Sequence, residues 1–272
     1  MTNTLFNYSA SIIPLPILIF KLILTPLIIA AATLAARRWG ENIGGLLIGL
    51  PLTSGPVSVF FALEQGPAFA AQAAQGAMLG LVAVAVFGLG YTHSSRRLPW
   101  YLSAVVSIGL YLLAIWSISF ITPGLVGSVV LVPVVLGVSL FALGKPQAGG
   151  RSVPLPWWDL PLRMVIATGL LLSITGLAGQ LGPKWSGLLS PFPVFTFVMA
   201  VFSHRQGGPE ATWRLVRGVL SGVFSYLAFF LVVGLLIDKA NLWLVYLLAT
   251  LTALGVNGIS LLVMLNSNKG DR

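Results

Sequence analysis

Apolar residues run through this chain in blocks of about 20, separated by short clusters of Gly, Pro and charge, from Ile12 almost to the C-terminus. A block of that length crosses the roughly 30 Å hydrocarbon core of a bilayer as an α-helix. Set against their punctuation, the blocks predict nine spans, at 12–36, 43–63, 68–90, 98–120, 124–143, 159–180, 185–203, 211–237 and 241–265. The junction Ile121-Thr122-Pro123-Gly124 is short enough to make a tight helical hairpin of the fourth and fifth spans, and Gly144 to Pro156 is the linker-like stretch. The expected fold is all-α, a polytopic membrane helix bundle.

Composition sharpens this reading. Of 272 residues 57% are hydrophobic and 8% charged, and the mean hydropathy is +0.97. Soluble domains carry about 25% charged residues, so a soluble enzyme is excluded. The absence of cysteine removes disulfides, thiolate metal sites and cysteine nucleophiles together. A net charge of +9 would suggest nucleic acid in a soluble chain, but here the cations sit in the connections and no nucleic-acid partner is expected. They report topology instead. Arg37, Arg38, Arg96, Arg97, Lys145, Arg151, Arg163, Arg205, Arg214, Arg217, Lys269 and Arg272 fall on one side, and only Lys184 and Lys239 on the other. The positive-inside rule then puts the N-terminus outside and the C-terminus in the cytoplasm of a bacterial-type inner membrane. Trp39, Trp100, Trp157, Trp158, Trp185, Trp213 and Trp243 lie at span ends, where an aromatic belt belongs. Met1 to Ala10 lacks the basic region of a signal peptide, so the first span is expected to remain.

Shifting the chain on itself by 142 residues aligns Gly40–Phe87 with Gly182–Phe229 without a gap, with 12 identities in 48 positions. They include Gly45/Gly187, Pro51/Pro193, Phe60/Phe202, Gly66/Gly208, Pro67/Pro209, Gly76/Gly218 and Gly80/Gly222. The same offset pairs spans one to four with six to nine and leaves the fifth as connector. Five spans separate each pair, so the halves enter the membrane in opposite directions. The expected organisation is a 4+1+4 inverted-topology repeat: repeat 1 at 1–121, connector helix and cytoplasmic linker at 122–156, repeat 2 at 157–272. Gln72 and Gln75 align with Arg214 and Arg217, a gain of positive charge where the second copy becomes cytoplasmic.

The chemistry-bearing residues gather in the paired second and seventh spans. Gly44 to Pro56 and Ser186 to Thr196 each put Gly and Pro in mid-span, which interrupts a helix by removing a donor and exposing carbonyls. Ser190-Pro191 reads as an N-cap with Pro at the first helical position, and Ser54-Gly55-Pro56 as a looser restart. A helix restarting at mid-membrane directs N–H groups and a positive dipole end inward, so Pro51, Thr53, Ser54, Ser190, Pro193 and Thr196 are the expected substrate-binding residues. Lys21, inside the first span, joins them as a costly buried charge. Its partner Arg163 is placed to pair with Asp159 at i,i+4. Asn257 reads as an interhelical hydrogen bond, Gly76/Gly80 and Gly218/Gly222 as close helix contacts, and His93 and His204 as surface residues. No carboxylate lies at mid-span, and no metal, cofactor or catalytic constellation is legible, so no enzyme is expected.

The segment Gly187-Leu188-Leu189-Ser190-Pro191-Phe192-Pro193-Val194-Phe195-Thr196 resembles the G-L-x-P-x-F-P-x-F segment of small bacterial GlpM-type membrane proteins. The first half departs from it at Leu50 and Thr53, where the two phenylalanines are replaced, so the resemblance implies a diverged, duplicated inner-membrane relative. In architecture the inverted duplication resembles the drug/metabolite transporter superfamily. The expected function is a permease for a small polar or anionic molecule, sited between spans two and seven. A flippase for lipid or a lipid-linked carrier, and a non-transporting scaffold for a partner enzyme, are the alternatives. The expected partners are the small-molecule substrate and the bilayer, with room for a homodimer.

The cysteine-free chain makes the orientation directly testable. A single cysteine at Lys239 is expected to react with an impermeant thiol reagent applied outside the cell and one at Arg96 to be protected; the reverse pattern contradicts the orientation.

Overall fold

A computed structural model describes residues 15–121, 123–144, 156–178 and 192–269. Among the described residues the chain is helical with no strand: α1 Leu15–Trp39, α2 Glu41–Ile48, α3 Ser54–Gln65, α4 Pro67–Ser95, α5 Trp100–Ser119, α6 Gly124–Leu143, α7 Asp159–Ala178, α8 Val194–Leu236 and α9 Leu242–Lys269. Six of these contain stretches long and apolar enough to cross a membrane, in α1, α4, α5, α6, α8 and α9.

The expected second span is therefore two helices. α2 and α3 have 8 and 12 residues; at 1.5 Å per residue they rise about 12 and 18 Å, together about one bilayer core. The seventh and eighth spans form α8, a run of 43 residues broken at Gly208 (φ 76°, ψ −169°). Gly66 (φ 89°, ψ 166°) makes the same turn between α3 and α4. Each of these glycines lies in a region that side chains disfavour, and each precedes a proline that opens the next helix.

Burial sorts the helices into inside and outside. In α4, 67% of the span-forming residues are buried, against 17% in α9. α6 shows why the surroundings are lipid: Val126, Val130, Val134 and Val138 recur every four residues and are 57–79% exposed, while Ser128, Val132, Leu136 and Ser139 on the opposite face are buried. A soluble protein does not expose a continuous apolar stripe of this kind while burying hydroxyls. Some of the buried serines donate to their own helix, as in Ser107 Oγ to Ser103 O (2.6 Å) and Ser128 Oγ to Gly124 O (2.8 Å).

α2 is held at the centre by glycine. A Cβ added to Gly45 would press on the Leu215 carbonyl and lie 2.8 Å from Val219 N; one on Gly222 would lie 3.1 Å from Gly49 Cα. Gly218 faces Asn42 in the same way. The backbones of α2 and α8 touch directly, a small-residue packing that lipid favours because neither helix gains hydrophobic burial by meeting the other. The close contact expected of Gly218/Gly222 is present, and its partner is α2.

Gly45→Val should therefore wedge α2 from α8 and cost about 1–3 kcal/mol or more, read as a lowered Tm in detergent. Gly109→Ala, on lipid-facing α5 with open space at its Cβ, should leave Tm unchanged or slightly raised. Equal effects at both positions contradict the packing.

Candidate functional site

Breaking a helix inside a bilayer frees carbonyls at one end and N–H groups at the next start, and these must find partners. At the end of α2, Gly49 N reaches Gly45 O (3.2 Å) and Leu50 N reaches Leu47 O (3.3 Å). The Leu46 carbonyl is left for Asn257 of α9, whose Nδ2 donates to it at 3.2 Å and lies 3.4 Å from Ser225 Oγ. Asn257 thus makes the interhelical bond its mid-span position suggests, and the bond has a specific task. Ser58 Oγ and Tyr246 Oη, 2.8 Å apart, tie α3 to the same helix.

The two helix starts lie open. α3 begins at Ser54 behind Thr53, and α8 at Val194 behind Pro193; neither first turn is capped by a side chain. Backbone bonding resumes at Gly55 N to Pro51 O (2.8 Å) at the start of α3, and at Val194 N to Phe192 O (2.8 Å) and Phe197 N to Pro193 O (2.7 Å) at the start of α8. The expected restart at Ser54 holds. The other one is corrected: residues 192 and 193 are non-helical and the helix opens at Val194, because a residue before proline is driven out of the α region and Phe192 precedes Pro193. Pro191 is thus not the first residue of α8, and Ser190 and Pro191 themselves lie outside the described residues.

Both starts face one cavity of about 70 Å³. Thr53, Ser54, Pro193 and Thr196 line it, with Ile48, Gly49 and Leu50 from the α2 break, Leu81 and Val84 from α4, and Val219, Val223 and Tyr226 from the second limb of α8. Among the described residues that line it the polar side chains carry hydroxyls and none is charged. Pro51 is buried beside the break without lining the cavity. Lys21 belongs to α1, and its side chain lies outside the described residues. Two tyrosines escaped the sequence reading. Tyr226 lines the cavity, and buried Tyr111 stacks edge-on against Phe192 (centroids 5.0 Å apart) with its hydroxyl unpartnered. A phenol in the middle of an apolar helix, with its polar handle, is the signal that could have found both.

A second polar region closes one end of the bundle. Asp159, wholly buried at the start of α7, accepts from Arg37 of α1 (2.8 Å), Arg163 (3.0 Å) and Gln206 Nε2 (2.5 Å). Arg163, 2% exposed, also donates to Gln206 Oε1 (2.7 Å) and Met199 Sδ (3.1 Å) and lies 4.6 Å from the centroid of the Phe202 ring. Glu41, opening α2, accepts from Ser203 Oγ (3.0 Å). The expected Arg163–Asp159 pair is present but is one edge of a hydrogen-bond network across three helices, α1, α7 and α8. His93 is exposed as expected. His204 is not a plain surface residue: it is half-buried, its ring edge-on to Tyr91 at 6.0 Å.

Comparison of the chain with protein-family models, curated proteins and solved structures finds no match.

Asn257→Leu should leave the Leu46 carbonyl unpaired at a cost of about 1–3 kcal/mol, seen as a fall in Tm. Asn257→Gln, which keeps a donor, should recover part of it. A Tm unchanged in Asn257→Leu would show that another group satisfies the α2 end.

Proposed function

We propose that this chain is a secondary transporter with a 4+1+4 inverted-topology repeat, moving a small polar or anionic molecule through the cavity between the α2–α3 break and the start of α8. The observation that carries this reading is that one cavity is lined by two hydroxyl-bearing residues matched at the repeat offset of 142, Ser54 at the start of α3 and Thr196 in the first turn of α8. Other boundaries support the same register: Pro67 opens α4 as Pro209 opens the second limb of α8, and α5 and α9 begin at Trp100 and Leu242. On this reading α2–α3 and the two limbs of α8 count as spans, giving nine in a bacterial-type inner membrane. The N-terminus is outside and the C-terminus cytoplasmic.

The chemistry of the cavity sets the substrate. Uncapped helix starts offer N–H groups and a positive dipole end, and hydroxyls both give and accept hydrogen bonds. Among the described residues that line the cavity no carboxylate awaits a cation. A volume of about 70 Å³ holds a few waters or a compact solute, which favours a small molecule over a lipid.

The test begins with a thermal-shift screen of purified protein against phosphate, small carboxylates and small neutral polyols, followed by flux of the stabilising compound in proteoliposomes. Ser54→Ala/Thr196→Ala is expected to keep its fold and lose about 10- to 100-fold in flux, the loss of two hydrogen bonds of roughly 1 kcal/mol or more each. Undiminished flux in the double variant, or a preference for organic cations, contradicts the assignment.

A further inference from the structure

We propose that the cavity takes a compact, singly charged carboxylate, and that Tyr111 is the residue that selects it, its phenol donating to an oxygen of the anion. This deepens the proposed function and rests on its cavity. Tyr111 belongs to the buried stripe of α5, where Ser103, Ser107, Tyr111 and Ile115 follow at intervals of four. The two serines are answered by backbone: Ser103 Oγ donates to Leu98 O (3.4 Å) and Ser107 Oγ to Ser103 O (2.6 Å). A phenol oxygen sits at the far end of a rigid ring and cannot turn back onto the preceding turn as an alcohol does. Tyr111 is fully buried, and its hydroxyl has no partner among the described residues. A buried tyrosine ordinarily pairs its hydroxyl, and one left unpaired carries a cost that phenylalanine, of the same shape, would not.

That phenol lies against the cavity wall. Phe192, which lines the cavity, meets the Tyr111 ring edge-on with centroids 5.0 Å apart. Tyr226, which also lines it, is within electrostatic reach of Tyr111. Phe192 is half-buried and stands ahead of the first turn of α8, and its ring is the one that turns aside for the phenol to reach the anion. The class of ligand follows from the donors. The starts of α3 and α8 each present roughly half a positive charge, so together they balance one negative charge rather than two. Half-helix N-termini at mid-membrane are an arrangement that receives a substrate carboxylate. The hydroxyls of Ser54 and Thr196 add donors on the same cavity. A hydrogen bond from a phenol to an ionised oxygen is stronger than one to a neutral oxygen, so Tyr111 favours the carboxylate over a neutral solute of the same size.

The test is the Tm of the purified full chain titrated with sodium formate and with sodium acetate, against sodium chloride at matched ionic strength. At least one carboxylate is expected to raise Tm above the chloride control, as a ligand of the folded state does. Tyr111→Phe is expected to leave the Tm without carboxylate unchanged or raised, because it removes an unpaired hydroxyl, and to weaken the apparent affinity for the carboxylate about 10-fold, the loss of one hydrogen bond to a charged acceptor. A purely structural tyrosine would give the opposite pattern, a lowered Tm with the carboxylate response intact, and that result overturns the proposal. So does a wild-type Tm that neither carboxylate raises above chloride. Binding is read here without transport. Carboxylate binding weakened by Tyr111→Phe, with no flux in proteoliposomes, would retain the site and remove the transport reading; flux of a neutral solute with no carboxylate binding would do the reverse.

Discussion

Inside a bilayer no water is available to pair a backbone group, and the arrangement at the centre of this protein follows from that constraint. A chain that interrupts a helix there must supply partners for the freed groups from its own side chains or keep them in a polar cavity. It does both. The Leu46 carbonyl is met by Asn257, while the starts of α3 and α8 face a cavity with Thr53, Ser54 and Thr196 around it. Glycine makes this affordable in space: α2, too short to span alone, is pressed backbone to backbone against α8 through Gly45, Gly49, Gly218 and Gly222.

Charge is handled by segregation. None of the described residues that line the cavity is charged, and the most deeply buried ionic groups described, Asp159 and Arg163, are at one end, where each is met by several partners. Removing one partner of such a pair leaves a buried charge without compensation, typically a cost of about 3–5 kcal/mol, so the network resists small perturbations and yields to a concerted one.

Much of this was legible in the residues. Block length and composition give the all-helical, membrane-crossing character, and Pro51, Gly49 and Pro193 announce the interruptions because their effect on a helix is local. The partners of those interruptions were less legible. Asn257 is visible as a polar residue out of place, but its acceptor lies 211 residues away; Arg37 and Asp159 are 122 apart, and no short-range pattern links them. The start of α8 lies a few residues later than expected, because Phe192, restricted by the proline after it, and Pro193 itself stay outside the helix, which opens at Val194. His204 looked like a surface residue because it follows an apolar span, yet its side of the helix faces Tyr91.

The central claim is that the cavity between the two helix starts is reached from one side of the membrane at a time. The most direct measurement is the reactivity of a single cysteine at Thr53, and separately at Thr196, toward a small impermeant thiol reagent in right-side-out and inside-out vesicles. The account predicts that both positions react in vesicles of one orientation and are protected in vesicles of the other. Reaction from neither face, as in a bundle packed shut, or equally from both at once, as in an open channel, would contradict it.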